Sequence, residues 1–277
     1  MAGGVTSIGG VTIFSTDPEA TNIIKIIEEE RGTPFNFYER YYVNYIVTNL
    51  KESGVWDKSK AIYGMVGGTA AAHKWNWKDM RDLDAAFRLT FPSGIVSSKL
   101  YGAEFNGTSH YADTFLIPTT SFSDSGRNIS LGVHITGGTF GGSANPITMG
   151  SIISPPISNS TILTVQSTQI VSEIEGESEN TFIVKSNTSS TDYFSNSGYG
   201  GYHRLFKNGI KLDEKTLGAK FGSNQKIAIG AIRSASGVSL FQNIKLGLVK
   251  VSDGLTEQQV FKETQIFRFG QKMRVNF

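Results

Sequence analysis

Leu205-Phe206-Lys207-Asn208-Gly209-Ile210-Lys211-Leu212 reads as a β-hairpin. Asn-Gly is the pair that best tolerates two successive left-handed residues, and the resulting tight turn has the twist of the strands it joins. Apolar residues on both sides supply those strands. Outward from this turn the same period of two recurs. Leu131, Val133 and Ile135 alternate with small or polar residues, and Ile162, Thr164 and Gln166 lie opposite Leu163 and Val165. Phe87, Leu89 and Phe91 alternate with Ala86, Arg88 and Thr90, while Phe182 and Val184 bracket Ile183. Ile227 with Ile229 and Leu246 with Leu248 continue the pattern, and Asn106-Gly107 marks a second hairpin. Short strands divided by turn residues, in a chain with 31 glycines, predict a sandwich or barrel rather than βαβ units.

The flanks change period. Asp17-Pro18 starts a helix: Asp caps the free N–H groups, and Pro fits the first turn, where no N–H is needed. Ile23, Ile24 and Ile27 give its apolar stripe, and Gly32 ends it. Tyr38, Tyr41, Tyr42, Tyr45, Ile46 and Leu50 recur at helical spacing, with Glu39 and Arg40 elsewhere on the surface and Gly54 as the stop. The tyrosine row is expected to pack on the sandwich rather than to stack ligands. Near the end, Thr256 and Gln259 form a capping box, with Leu255 and Val260 as its hydrophobic staple. The expected organisation is therefore an extended arm over 1–16, a helical pair over 17–58 and a β-sandwich over 59–277.

The bulk properties exclude several classes. A chain of 277 residues buries enough core to need neither disulfide nor metal. With no cysteine, a thiol nucleophile or a cysteine-bound zinc is ruled out. A formal charge of +2 argues against a general nucleic-acid binder. The start, MAGGVTSIGGVTIF, lacks the basic and apolar regions of a signal peptide, and no stretch is apolar for the ~18–20 residues of a membrane span. The expectation is a soluble protein made in the cytosol, without membrane insertion.

Three segments resemble a known family. The first is Lys60-Ala-Ile-Tyr-Gly-Met-Val-Gly-Gly-Thr69, continued by His73-Lys-Trp-Asn76 and Asp82-Leu-Asp-Ala-Ala-Phe-Arg-Leu-Thr-Phe91. The second is Phe105-Asn-Gly-Thr108 with Tyr111-Ala-Asp-Thr-Phe115. The third joins Phe206-Lys-Asn-Gly209, Ile227-Ala-Ile-Gly230 and Leu246-Gly-Leu-Val-Lys-Val-Ser-Asp-Gly-Leu-Thr256. In this order, behind a helical pair, they resemble virion structural proteins of tailed bacteriophages, crAss-like phages included, that carry a concanavalin A-like or laminin-G-like domain. The resemblance implies a mainly β jelly-roll sandwich with an N-terminal helical pair and a short C-terminal helix. It also implies display on a virion as tail fibre, head fibre or capsid decoration. Other virion proteins, further copies of the chain (a trimer by analogy) and a host-surface glycan are the implied partners.

For glycan binding the candidate is the segment Asp192-Tyr-Phe-Ser-Asn-Ser-Gly-Tyr-Gly-Gly-Tyr-His203, expected to be an exposed loop. Its Tyr193, Tyr199 and Tyr202 can stack on a sugar's apolar face, while Asp192 and Asn196 take its hydroxyls. No catalytic residue is expected. Glu173, Glu175 and Glu177 are where a glycosidase pair would have to lie, but a charged, solvated strand edge explains them better. His73, His110, His134 and His203 lack metal-ligand spacing, and His134 is expected on a solvent face. Lys74-Trp75-Asn76-Trp77-Lys78 could suit single-stranded nucleic acid, yet Trp75 and Trp77 fit better as packing between helices and sandwich. No cofactor is expected. Asp113, Asp192 and Asn196 are the candidate oxygens for a calcium ion, with the balance against one.

Overall fold

The structure, a computed structural model, describes residues 5–8, 11–14, 16–142, 146–153, 160–174, 182–188, 191–217 and 222–274. Among the described residues, two eight-stranded sheets carry the chain. The larger runs, in spatial order, Ile210–Thr216, Tyr202–Lys207, Tyr193–Tyr199, Ile129–Gly137, Asn243–Asp253, Gly102–Asn106 and Val96–Ser98. Ser59–Tyr63 also pairs with the long Asn243–Asp253 strand. The smaller runs Ile183–Ser186, Gln169–Ile174, Thr161–Val165, Met149–Ser151, Ala228–Ile229 and Ala112–Asp113, with Ile232–Ser234 and Gly237–Ser239 beside it. Its one parallel ladder joins Ile232–Ser234 to Met149–Ser151. Runs of consecutive strands are joined to partners distant in sequence, as where Ile129–Gly137 lies between Tyr193–Tyr199 and Asn243–Asp253, which is the pattern of a mainly β jelly-roll sandwich. Val5–Ile8 and Val11–Phe14 form a separate hairpin.

Alternation decides which layer each side chain enters. Leu131, Val133, Ile135, Phe194 and Leu205 of the larger sheet meet Leu163, Val165, Ile170 and Ile174 of the smaller in the sandwich core. The other face of the larger sheet is covered by helices. Six helices are described: α1 (Pro18–Arg31), α2 (Phe37–Glu52), α3 (Val55–Lys58), α4 (Ala70–His73), α5 (Pro118–Ser121) and α6 (Glu257–Met273). Ile23, Ile27, Tyr42, Ile46 and Leu50 share a second core with Tyr193, Phe206, Leu248, Val260 and Phe267. Trp75 and Trp77 are buried there, Trp77 edge-on to Tyr42 at 6.2 Å. Gly64 makes room for that ring, since a Cβ would stand 1.9 Å from it.

The helix ends follow their sequence signals. Asp17 accepts the N–H groups of Glu19 and Ala20, Gly32 closes α1 at φ 70°, and Thr256 with Gln259 forms the capping box of α6. Between α6 and the sheet lies a fully buried ion pair, with Lys250 Nζ 2.5 Å from Glu263 Oε2. Burial pushes the Lys250 amine below its usual range, against the pull of that carboxylate. Such a pair adds little net stability, because taking both charges out of water costs about as much as their attraction returns.

Four expectations need correction. Phe87 to Phe91 is not a strand: a 3₁₀ turn at Asp84–Ala86 and a left-handed Phe87 (φ 58°) break the extended run. Asn106-Gly107 turns a corner from one sheet to the other, because the Asn106 carbonyl takes the N–H groups of Thr108, Ser109 and His110. Glu39 is buried, bonded by Arg31 at 3.0 Å. The segment read as a loop before Tyr202 contains Tyr193–Tyr199, an interior strand of the larger sheet.

Candidate functional site

That strand decides the fate of the candidate residues. Along Tyr193–Tyr199 every side chain but the last is buried. Tyr193 points into the helix layer and its hydroxyl donates to Glu263 at 2.9 Å. Burial, first, and the Glu263 carboxylate beside it hold this phenol well above its ordinary pKa. Asn196 faces the opposite way, into the sandwich. Its carbonyl accepts from the Leu131 N–H at 3.0 Å, and its amide donates to the Ile162 carbonyl and the Ser172 hydroxyl at 3.0 and 2.9 Å. Ile162 and Ser172 belong to the smaller sheet, so Asn196 bridges the two sheets. Both residues are fully buried and neither can present itself to a ligand, which corrects their placement on a loop.

Tyr199 and Tyr202 fare differently. They are directly opposite each other in the ladder, joined by Gly200 and Gly201 at φ 62° and 80°. Two left-handed residues in succession make a turn that glycine reaches without strain. The tyrosines stand 38% and 42% exposed at the end of the sandwich. The Arg204 guanidinium lies 4.9 Å from the centre of the Tyr202 ring and donates to the Tyr199 carbonyl at 3.0 Å.

Beside the tip is an open pocket of about 240 Å³, with Tyr199, Asp124, Arg127, Asn128 and Leu217 in its wall. Asp124 and Ser125 adopt φ of 53° and 54°, which folds this loop tightly against the tip. Gly198 allows the approach, since a Cβ would stand 2.0 Å from the Arg127 carbonyl oxygen. Arg127 and Asp124 form an ion pair. Asn128 accepts from the Gly254 N–H at 3.0 Å and donates to the Ser123 hydroxyl at 2.7 Å. An aromatic edge, a carboxylate, a guanidinium and an amide thus converge on one cavity. That set can take a polyhydroxylated ring, stacking on one face and hydrogen-bonding at the rim.

The other candidates are scattered. Asp192 sits at the far end of the same strand, roughly 20 Å from Tyr199 at strand spacing, and accepts from the Asn208 amide at 2.6 Å. Asp113 is held by Arg233, so the three oxygens considered for calcium lie apart. Among the described residues no group of three acidic, histidine or cysteine side chains could hold a metal. Glu173 is fully buried, not on a solvated edge, and its carboxylate accepts from the Ser160 hydroxyl; Glu175 and Glu177 lie outside the described residues. His134 lies beneath α6, where burial and, next, the charge of Arg274 push its pKa down to about 3. His73 is buried, His203 touches Ser172 at 2.8 Å, and His110 is half-buried.

Sequence reading missed Asp124, Arg127 and Asn128. Their stretch, Asp124-Ser-Gly-Arg-Asn128, carries a turn signature, but nothing in it reports contact with a hairpin some seventy residues on. The strand ladder makes that contact, by pairing Ser130 with Ser197.

No protein-family model matches the chain, and no curated protein matches it closely. Among solved structures, the botulinum neurotoxin serotype D binding domain is similar with a TM-score of 0.51 at 10% identity, over 76% of this chain and 51% of that one. Domain 4 of AbnA, a GH43 extracellular arabinanase from Geobacillus stearothermophilus, gives 0.44 at 15% identity, over 75% of this chain and 98% of that one. The NanB sialidase from Streptococcus pneumoniae gives 0.43 at 11%, over 57% of this chain. This chain spans 26% of that sialidase. At such identities the likeness concerns the fold alone, a mainly β sandwich of two sheets consistent with a jelly roll.

Proposed function

We propose that this protein is a structural component of a bacteriophage virion, and that its sandwich binds a host-surface glycan at the Tyr199–Tyr202 tip. The observation that carries the glycan reading is the exposed tyrosine pair beside the pocket of Asp124, Arg127 and Asn128. The virion reading rests on the resemblance of the Lys60–Phe91, Phe105–Phe115 and Phe206–Thr256 segments to phage structural proteins. In this reading the protein is a tail fibre, head fibre or capsid decoration, and the helical layer and N-terminal arm attach it to other virion proteins. Weak tip contacts, repeated over a homotrimer and over many copies on one particle, then sum to useful avidity.

Catalysis is not part of the proposal. Most glycosidases use two carboxylates flanking the bond, and in the described wall of the tip pocket Asp124 is the single carboxylate, already paired with Arg127. The rival readings are an architectural capsid or collar component without a ligand, and a glycan depolymerase.

A glycan array probed with the whole protein tests the reading. Binding is expected, with a tenfold or greater loss in Tyr199→Ala/Tyr202→Ala. Silence from a folded sample would overturn it, as would binding that the double substitution leaves intact. Release of reducing sugar from a bound glycan would instead favour the depolymerase.

A further inference from the structure

The outward face of the smaller sheet should be polar, since water is its natural neighbour. It is not. Leu163 and Val165 point into the sandwich core, whereas Ile162, one residue before Leu163 and so on the opposite face, joins Ile147, Ile152, Ile232 and Leu240 in a separate apolar cluster outside it. The cluster is not closed. A cavity of about 330 Å³ opens through it, at the lower end of the size of ligand sites. A contiguous apolar patch rimmed by polar groups is a mark of binding.

The described wall contains no charged residue. Its polar members are Thr, Gln and Ser, and several keep unused hydrogen-bonding capacity. Thr164 lines the cavity at 1% exposure, and its hydroxyl has no partner among the described residues. Burying a hydroxyl without a partner costs on the order of 1–3 kcal/mol, a cost that a bound hydrogen-bonding ligand removes. Also in the wall, the Gln169 side-chain NH₂ donates to the Gln166 side-chain carbonyl at 2.9 Å, which leaves the Gln166 NH₂ group and the Gln169 side-chain carbonyl as a donor and an acceptor outside that bond.

We propose that this cavity is a second binding site, distinct from the tyrosine tip, for an uncharged small amphiphile with a compact apolar body and a hydroxyl, amine or amide edge. The apolar body replaces water against Ile147, Ile162, Ile232 and Leu240, and the polar edge meets Thr164 and the glutamine pair. A charged ligand is disfavoured, because nothing in the described wall offsets the loss of its hydration.

The test titrates the whole protein with N-phenyl-1-naphthylamine, an uncharged amphiphile that fluoresces in apolar surroundings, and with the charged 1-anilinonaphthalene-8-sulfonate. Saturable one-to-one binding of the first is expected, at least tenfold tighter than of the second. Ser239→Trp, at an exposed position in the wall, should fill the cavity and weaken binding at least tenfold. Thr164→Val should weaken it severalfold, and Tyr199→Ala/Tyr202→Ala should leave it unchanged. Absence of saturable binding by the wild type, equal binding of the two dyes, or indifference to Ser239→Trp would overturn the proposal.

Discussion

Two buried side chains show what single residues do here. Asn196 has four groups to satisfy and little space, and it spends its amide on strands of both sheets. Asn196→Ala would remove a partner from the Leu131 N–H, the Ile162 carbonyl and the Ser172 hydroxyl together, leaving Ser172 with His203. We expect a loss of about 3 kcal/mol, seen as a lower urea midpoint with unchanged slope. His73 is buried, neither ring nitrogen has a partner among the described residues, and burial followed by the charge of Arg274 lowers its pKa from 6.5 to about 3. The unfolded chain therefore binds the proton first. The stability contributed by neutral His73 is complete above pH 6.5 and drains away as the pH falls toward 3, by about 1.4 kcal/mol per unit. Denaturant midpoints measured from pH 7 to pH 4 should fall more steeply for the wild type than for His73→Leu, and parallel slopes would refute this.

At the scale of elements, the tight turns and caps carry their information locally. Thr256 and Gln259 close α6 as their spacing requires, and Gly200 with Gly201 turns the tyrosine hairpin. Gly201→Val places a β-branched residue at φ 80°. It should cost about 1–3 kcal/mol and, by splaying Tyr199 from Tyr202, weaken glycan binding. Full retention of both stability and binding would show that the turn does not organise the tip. The strand Tyr193–Tyr199 teaches the converse. Its Ser, Asn, Gly and Tyr are loop-like in composition, yet it is paired on both sides. Three of its polar residues, Asn196, Ser197 and Tyr193, each find a buried partner, while the small Ser195 is buried with none among the described residues. Alternation of hydrophobicity cannot reveal a strand that meets its obligations through hydrogen bonds.

At the scale of the whole molecule, the helices and the sandwich are one packing problem. Tyr193, Phe206 and Leu248 belong to the sheet but share their core with α1, α2 and α6. A chain cut to residues 59–277 would expose that face, and we expect it to aggregate or melt far below the intact protein. A monodisperse truncation with an unchanged melting temperature would show the helical pair to be a detachable attachment unit instead. The sequence by itself determined the class of the fold, the helix at each end and the hairpin at Asn208-Gly209, because periodicity, caps and turn residues act over a few neighbours. It also put Tyr199 and Tyr202 among the candidates, as aromatic side chains in a stretch rich in Ser, Asn and Gly. Only the tertiary structure decided that Tyr193 and Asn196 are internal, that Asp192 is at the wrong end of the strand, and that Asp124, Arg127 and Asn128 complete the tip. Those outcomes depend on which strands become neighbours. In a jelly roll that is settled by the closure of two sheets over a shared core, which no local stretch of sequence records.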